Sequence, residues 1–237
     1  MSENTLISRR SLLTVIGGAT AGLAVVVAGP AGRAQAAPSA AADAGATATT
    51  GATATTANGW PVLGAGSAVA ESRIEGSDAV VALRGGEVET VLLHVARRFN
   101  YEIDTLNRGD LHGHTTATGD LAPYESNYRS GTAFAIRPDL YPVGSAGNLF
   151  APQVLVLRDI LADCEGVVRW GGDDQEQPKE GHFQIDVPPG DSRLTKVAAK
   201  IRGWQQTPDQ GAGTPVDPLA RPRLAASRTL EGEQKAA

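Results

Sequence analysis

One cysteine, Cys164, stands among 237 residues. A lone cysteine excludes an intramolecular disulfide framework and any zinc site built from several thiolates. Aromatic residues make up only 5% of the chain, with 3 Trp and 4 His, all of these between Trp60 and Trp204. Both ends are therefore poor in the side chains that build a core, and the folded unit must lie between them. Basic charge is also in deficit. The net charge is -5, against the basic face that a nucleic-acid binder normally presents. No phosphate-loop lysine accompanies the glycines of "GAGSAVAES" (Gly64 to Ser72), and neither Ser126 nor Ser130 stands in a G-x-S-x-G elbow.

What is present begins with an address. "SRRSLL" sets Arg9 and Arg10 before an apolar run diluted by glycine and threonine, and "AQA" at Ala34 to Ala36 offers a small-residue cleavage site. Residues 1–36 resemble a twin-arginine export signal, which implies passage through the twin-arginine translocase as a folded protein. An extracellular or cell-envelope location follows, with no membrane span left after cleavage. Residues 37–57, nearly all Ala, Thr, Gly and Ser, cannot offset chain entropy by burial and read as a flexible spacer. Residues 205–237 carry four prolines and no sustained apolar period, so a disordered tail is expected there. That leaves residues 58–204 as the folded domain.

Within it, Val88, Val91, Leu92, Val95 and Phe99 recur at helical spacing. Further helices are predicted from Pro152 to Cys164 and from Arg193 to Trp204. Short strands are predicted at Ala79–Leu83, Thr132–Arg137, Val167–Trp170 and His182–Val187. The two kinds of element do not alternate regularly enough for a doubly wound sheet. An α+β fold with a small antiparallel sheet flanked by helices is expected. Alternation puts Phe134, Ile136, Phe183, Ile185 and Val187 on core faces. Ala133, Ala135 and Arg137, and on the other strand His182, Gln184 and Asp186, then line a polar face.

Two stretches carry a family resemblance. "WGGDDQEQPKEGHF" (Trp170 to Phe183) matches a motif in which W-G-G-D is followed nine residues later by a zinc-binding His and a Phe. "SNYRSGTAFA" (Ser126 to Ala135) matches S-x-H-x-x-G-x-A-x-D at Ser126, Gly131 and Ala133. The chain thus resembles the zinc D-alanyl-D-alanine carboxypeptidases and L-alanoyl-D-glutamate endopeptidases that cut peptidoglycan stem peptides. The resemblance implies a D-Ala-D-Ala carboxypeptidase-like core over about residues 85–190.

It also implies three zinc ligands, and only His182 is kept. The other two positions hold Tyr128 and Ala135, and the general-base position holds Lys179, with Glu180 next to it as a displaced base. A catalytic zinc takes about three protein ligands and an open site for water, so the family's reaction is not expected. Zinc remains as a cofactor only if His112 and His114, an H-x-H pair, join His182 in a relocated set. Otherwise the altered face binds stem peptide uncleaved through Tyr128, Arg129, Arg137, Asp173, His182 and Gln184. Arg137 either grips a ligand carboxylate or pairs internally with Asp139 or Asp173. Three readings follow: a silent binder of stem peptide, a hydrolase with a relocated metal, and a structural or partner-binding envelope protein.

Overall fold

The order of elements follows from where the chain can bury apolar faces. The computed structural model describes residues 54–64, 67 and 69–236, all within the unit Thr50–Ala237. The expected export signal and most of the expected spacer lie outside the described residues. The described chain is α+β. A two-stranded antiparallel hairpin, β1 (Val69–Arg73) and β2 (Val80–Arg84), leads into helix α1 (Glu87–Glu102). Four further strands form an antiparallel sheet in the order β3-β4-β6-β5. They are β3 (Leu111–His112), β4 (Ala133–Ile136), β5 (Val168–Trp170) and β6 (His182–Ile185). Helix α2 (Ala151–Asp163) precedes β5, and α3 (Ser192–Gln205) follows β6.

The sheet has two unlike faces because its side chains alternate. Phe134, Ile136, Phe183 and Ile185 enter the main core with Val91, Leu92 and Phe99 of α1 and Val197 and Ile201 of α3. Phe134 and Phe183 are cross-strand partners whose rings stack at 5.3 Å between centroids, a pairing that ties β4 to β6 through side chains as well as backbone. On the opposite face Ala133 and Ala135 meet Tyr128 in a separate small cluster. That face is the one left open for polar groups. It is crossed by a short 3-10 helix, Pro123–Tyr128, whose Pro123 suits the first turn.

Three expectations need correction. Residues 54–57, assigned to the spacer, are docked: the Ala57 N–H donates to Ser126 Oγ at 2.9 Å. Asn58 then donates from Nδ2 to Thr132 Oγ1 and to the Ile185 carbonyl, at 2.8 and 2.9 Å. The C-terminal tail is not disordered either. Residues Arg221–Ala236 form helix α4 against α2, burying Ser227, Leu230 and Gln234. Its anchors are mostly polar, which is why no apolar period announced it. Arg223 donates to both carboxylate oxygens of Asp159, each at 2.6 Å. Gln234 donates from Nε2 to the Val168 carbonyl at 2.8 Å, covering the free edge of β5. Finally, Arg137 does not share the face of Ala133 and Ala135. The strand ends at Ile136, and Arg137 turns to a φ of 41°, in the left-handed region.

Removing residues 221–237 strips the cover from Leu230's pocket and leaves Asp159, 1% exposed, to Arg98 alone. The expected loss is about 3 kcal/mol. For a unit of this size that lowers Tm by about 9 °C in thermal unfolding. An unchanged Tm would mean that α4 does not pack as described.

Candidate functional site

The polar face is organised by a row of three residues. His112 of β3 is the cross-strand partner of Ala135, and Ala135 is the partner of His182 on β6. Partners directly opposite each other in an antiparallel sheet share a face, so all three point to the side crossed by the 3-10 helix. That helix delivers Tyr124, Glu125, Asn127 and Tyr128 over the row. From the other direction, the loop before β6 delivers Lys179.

Close approach of that loop depends on Gly171, and the packing of the Trp170 ring beside it on Gly172. A Cβ on Gly171 would lie 2.6 Å from the Lys179 carbonyl and 2.8 Å from the His182 Cβ. A Cβ on Gly172 would strike the Trp170 ring at 2.3 Å. Both distances are impossible for a real side chain. The motif therefore does structural work around His182 whatever chemistry the site performs.

His182 is 1% exposed, and both ring nitrogens have partners. Nδ1 lies 2.6 Å from the Tyr128 hydroxyl, and Nε2 lies 2.9 Å from Gln184 Oε1. Burial raises the Tyr128 phenol well above its ordinary pKa, so it keeps its proton and donates it to Nδ1. The imidazole then carries its own proton on Nε2 and donates to Gln184 Oε1. Gln184 Oε1 also accepts from Asn127 Nδ2 at 2.8 Å. On the other side the Lys179 ammonium donates to Glu125 Oε1 at 2.6 Å and to the Tyr128 oxygen at 3.3 Å. A continuous path of hydrogen bonds runs Glu125–Lys179–Tyr128–His182–Gln184–Asn127. From Lys179 to Gln184 each donor points the same way, and Gln184 Oε1 accepts at the far end from both His182 and Asn127, which fixes the histidine tautomer.

A zinc ion does not fit this set. Occupying either nitrogen of His182 would break a buried hydrogen bond, Ala135 has no donor atom, and the Lys179 ammonium stands beside the position. Among the described residues, no three His, Cys, Asp or Glu side chains are grouped as a metal site would need. The relocated set of His182 with His112 and His114 is not assembled. His112 and His114 line one cavity together with Tyr128, and His182 faces a different one.

Several other expected site residues are held elsewhere. Glu180 is not a displaced base. It is buried, and its carboxylate accepts the N–H groups of Gly147 and Asn148 at 2.9 and 2.7 Å, pinning that loop. Asp173 pairs with both outer nitrogens of Arg158 in the interior, locking the motif to α2. Arg129 is taken by Asp120, both of whose carboxylate oxygens accept from Nη1, at 2.8 and 2.7 Å. Arg137, turned away by its backbone, binds Asp104, Asp110 and the Thr105 carbonyl. It therefore pairs internally, with acids other than Asp139 or Asp173. Of the expected ligand-binding residues, Tyr128, His182 and Gln184 do come together.

The sequence reading missed Tyr124, Glu125 and Asn127, and it took Lys179 only as the loss of a base. A signal existed: Glu125 stands one residue before the first motif, and a lysine that replaces a buried acid needs an acid of its own. Cys164 is fully buried, and desolvation pushes its thiol up to about 12, which agrees with an inert core role.

Two cavities flank the Tyr128–His182 pair. One, of about 240 Å³, lies over β5 and β6 and is lined by Tyr124, Trp170, His182, Gln184 and Asp186. The other, of about 380 Å³, lies over β3 and β4 and is lined by His112, His114, Tyr128, Ala135 and Lys179.

Burial is the largest cause that lowers His182, to about 4, with the nearby Lys179 charge adding to it. In the unfolded chain the imidazole takes a proton near its ordinary value of about 6.5. The unfolded state thus binds more protons than the folded state between those two values. Stability from this group is complete above about pH 6.5 and falls as the pH drops toward 4, by up to about 1.4 kcal/mol per pH unit. His94 is lowered by burial as well, so the useful quantity is the difference between the natural chain and His182→Gln. Urea unfolding from pH 7 to pH 4 is expected to show a shallower pH slope in the variant, and equal slopes would contradict the buried neutral imidazole. Comparison with known proteins adds no neighbour: no protein-family model, no curated protein and no solved structure matches this chain.

Proposed function

We propose that this chain is a degenerate relative of the zinc D-alanyl-D-alanine carboxypeptidases and L-alanoyl-D-glutamate endopeptidases, with their core, and that it binds peptidoglycan stem peptide without cutting it. The observation that carries the reading is convergence. Four positions picked out by the motif alignment, 128 and 135 in one stretch and 179 and 182 in another more than 40 residues on, meet at one point. Tyr128 touches His182 Nδ1, Ala135 is the cross-strand partner of His182, and Lys179 donates to Tyr128. Those are the positions at which the family would hold three ligands and a base.

Their chemistry is changed together. A hydroxyl, a methyl and an ammonium replace an imidazole and two carboxylates, and Glu125 supplies the counter-charge. With no site for a zinc-activated water, no hydrolytic step is derived. A site of this kind can still bind, since the polar face keeps a cavity on each side of the Tyr128–His182 pair. The export signal resembled by residues 1–36 would bring such a domain to the cell envelope, where stem peptides are. The proposed partners are accordingly stem peptide and, during export, the twin-arginine translocase.

Co-sedimentation with purified sacculi tests the reading, run with added zinc and with analysis of released D-alanine. The expected outcome is that the protein pellets with sacculi and releases no D-alanine. Failure to pellet would favour a structural or partner-binding role. Zinc-dependent release of D-alanine would show a working hydrolase and overturn the proposal.

A further inference from the structure

The two cavities that flank the Tyr128–His182 pair differ in electrical character. The lining of the cavity over β5 and β6 includes the carboxylates of Asp174 and Asp186. Among the described residues, no carboxylate lines the one over β3 and β4. Its polar residues are His112, His114, Thr115, Tyr128 and Lys179. Lys179 is 5% exposed, yet it reaches this cavity, while its counter-charge Glu125 does not line it. An ammonium has three donors. One goes to Glu125 and a long one to Tyr128, and the third has no protein acceptor among the described residues.

The histidines are placed by backbone constraints. Gly113 lies so close to β2 that a Cβ there would sit 2.1 Å from the Ala82 carbonyl. That contact lets the His114 N–H donate to the same carbonyl at 2.6 Å. His114 Nε2 is buried without a hydrogen-bond partner. Such an atom is costly to leave unpaired. Ala135, where the motif would have an acid, leaves the floor free of negative charge.

We infer that this cavity is an anion subsite that takes a carboxylate of the bound ligand between Lys179, His112 and His114. The inference rests on the ligand-binding reading above and names the group that anchors the ligand. A monoanion suits the charge available. Lys179 is partly neutralised by Glu125, and burial together with nearby Arg84 holds His114 below its ordinary pKa and therefore neutral at pH 7. A phosphate dianion would call for more fixed positive charge than that.

The test is calorimetric titration of the full chain with N-acetyl-D-alanyl-D-alanine and with its C-terminal amide. The acid is expected to bind at least tenfold more tightly than the amide. His112→Ala and the paired change Glu125→Gln with Lys179→Met are each expected to weaken the acid about tenfold and leave the amide unchanged. The paired change avoids a buried unpaired acid, and His112 is exposed, so one variant remains informative if the other fails to fold. Equal affinities for acid and amide, no binding of either, or variants that bind the acid normally would overturn the subsite. Inorganic phosphate displacing the peptide at lower concentration than acetate would overturn the carboxylate assignment. Sacculus binding that survives in both variants would remove the subsite and leave the proposed function standing. Acid preference without any sacculus binding would do the reverse.

Discussion

The hydrogen bond from the Tyr128 hydroxyl to His182 Nδ1, 2.6 Å long, is the constraint around which the polar face is arranged. A fully buried imidazole must have both nitrogens satisfied or be paired with charge. In a metal site the ion meets part of that need. Here Tyr128 meets it, and the requirement propagates outward. Tyr128 must itself be buried, so its oxygen accepts from Lys179. Lys179 must be neutralised, so Glu125 is drawn in from the 3-10 helix. Gln184 must accept from Nε2 and then be held by Asn127, which in turn accepts from the Asn58 backbone at 3.1 Å. Each residue of this network is intelligible only with the others. A partly satisfied buried network would be worse than an apolar one.

The same network explains why the domain extends beyond the limits that composition suggested. Asn58 links the segment at the end of the Ala/Thr-rich stretch to Asn127, Thr132 and Ile185, so that segment forms one wall of the site. At the other end α4 secures β5, the strand next to His182's own, through Gln234, and is itself tied to α2 by the Arg223–Asp159 pair. Neither segment has enough apolar surface to fold by itself. Both are ordered by polar side chains meeting backbone groups or buried acids that would otherwise be unsatisfied.

Those facts mark what was legible in the sequence. Helices α1, α2 and α3 and strands β2, β4, β5 and β6 were visible because each buries an apolar stripe or alternates cleanly. The faces of β4 and β6 followed from the same alternation, which put His182 and Gln184 on one side, whereas the expectation that Tyr128 stands with them came from the motif resemblance alone. Strand β3 is two residues long in a Gly- and Thr-rich stretch, too short for any period to register. Helix α4 is held by Arg223, Ser227 and Gln234, which a hydrophobic period does not detect. The fate of Arg137 turned on a single left-handed residue at a strand end, and alternation assumes that no such residue occurs. Pairing partners were the least legible of all. Charge pairs such as Arg129–Asp120 and Arg137–Asp104 are set by tertiary approach and leave no spacing rule in the chain.

Positions 128, 135 and 182 form one spot, and on the proposed reading its hydrogen-bonded tyrosine stands where the peptidases hold a metal. The most direct measurement is the zinc content, after equilibrium dialysis, of the natural chain and of a folded variant carrying Tyr128→His, Ala135→Asp and Lys179→Glu. If the three positions meet around His182, the variant gains about one zinc per chain, removed again by adding His182→Ala, and the natural chain binds none at this site. A folded variant that gains no zinc, or a natural chain whose stoichiometric zinc depends on His182, would contradict the account.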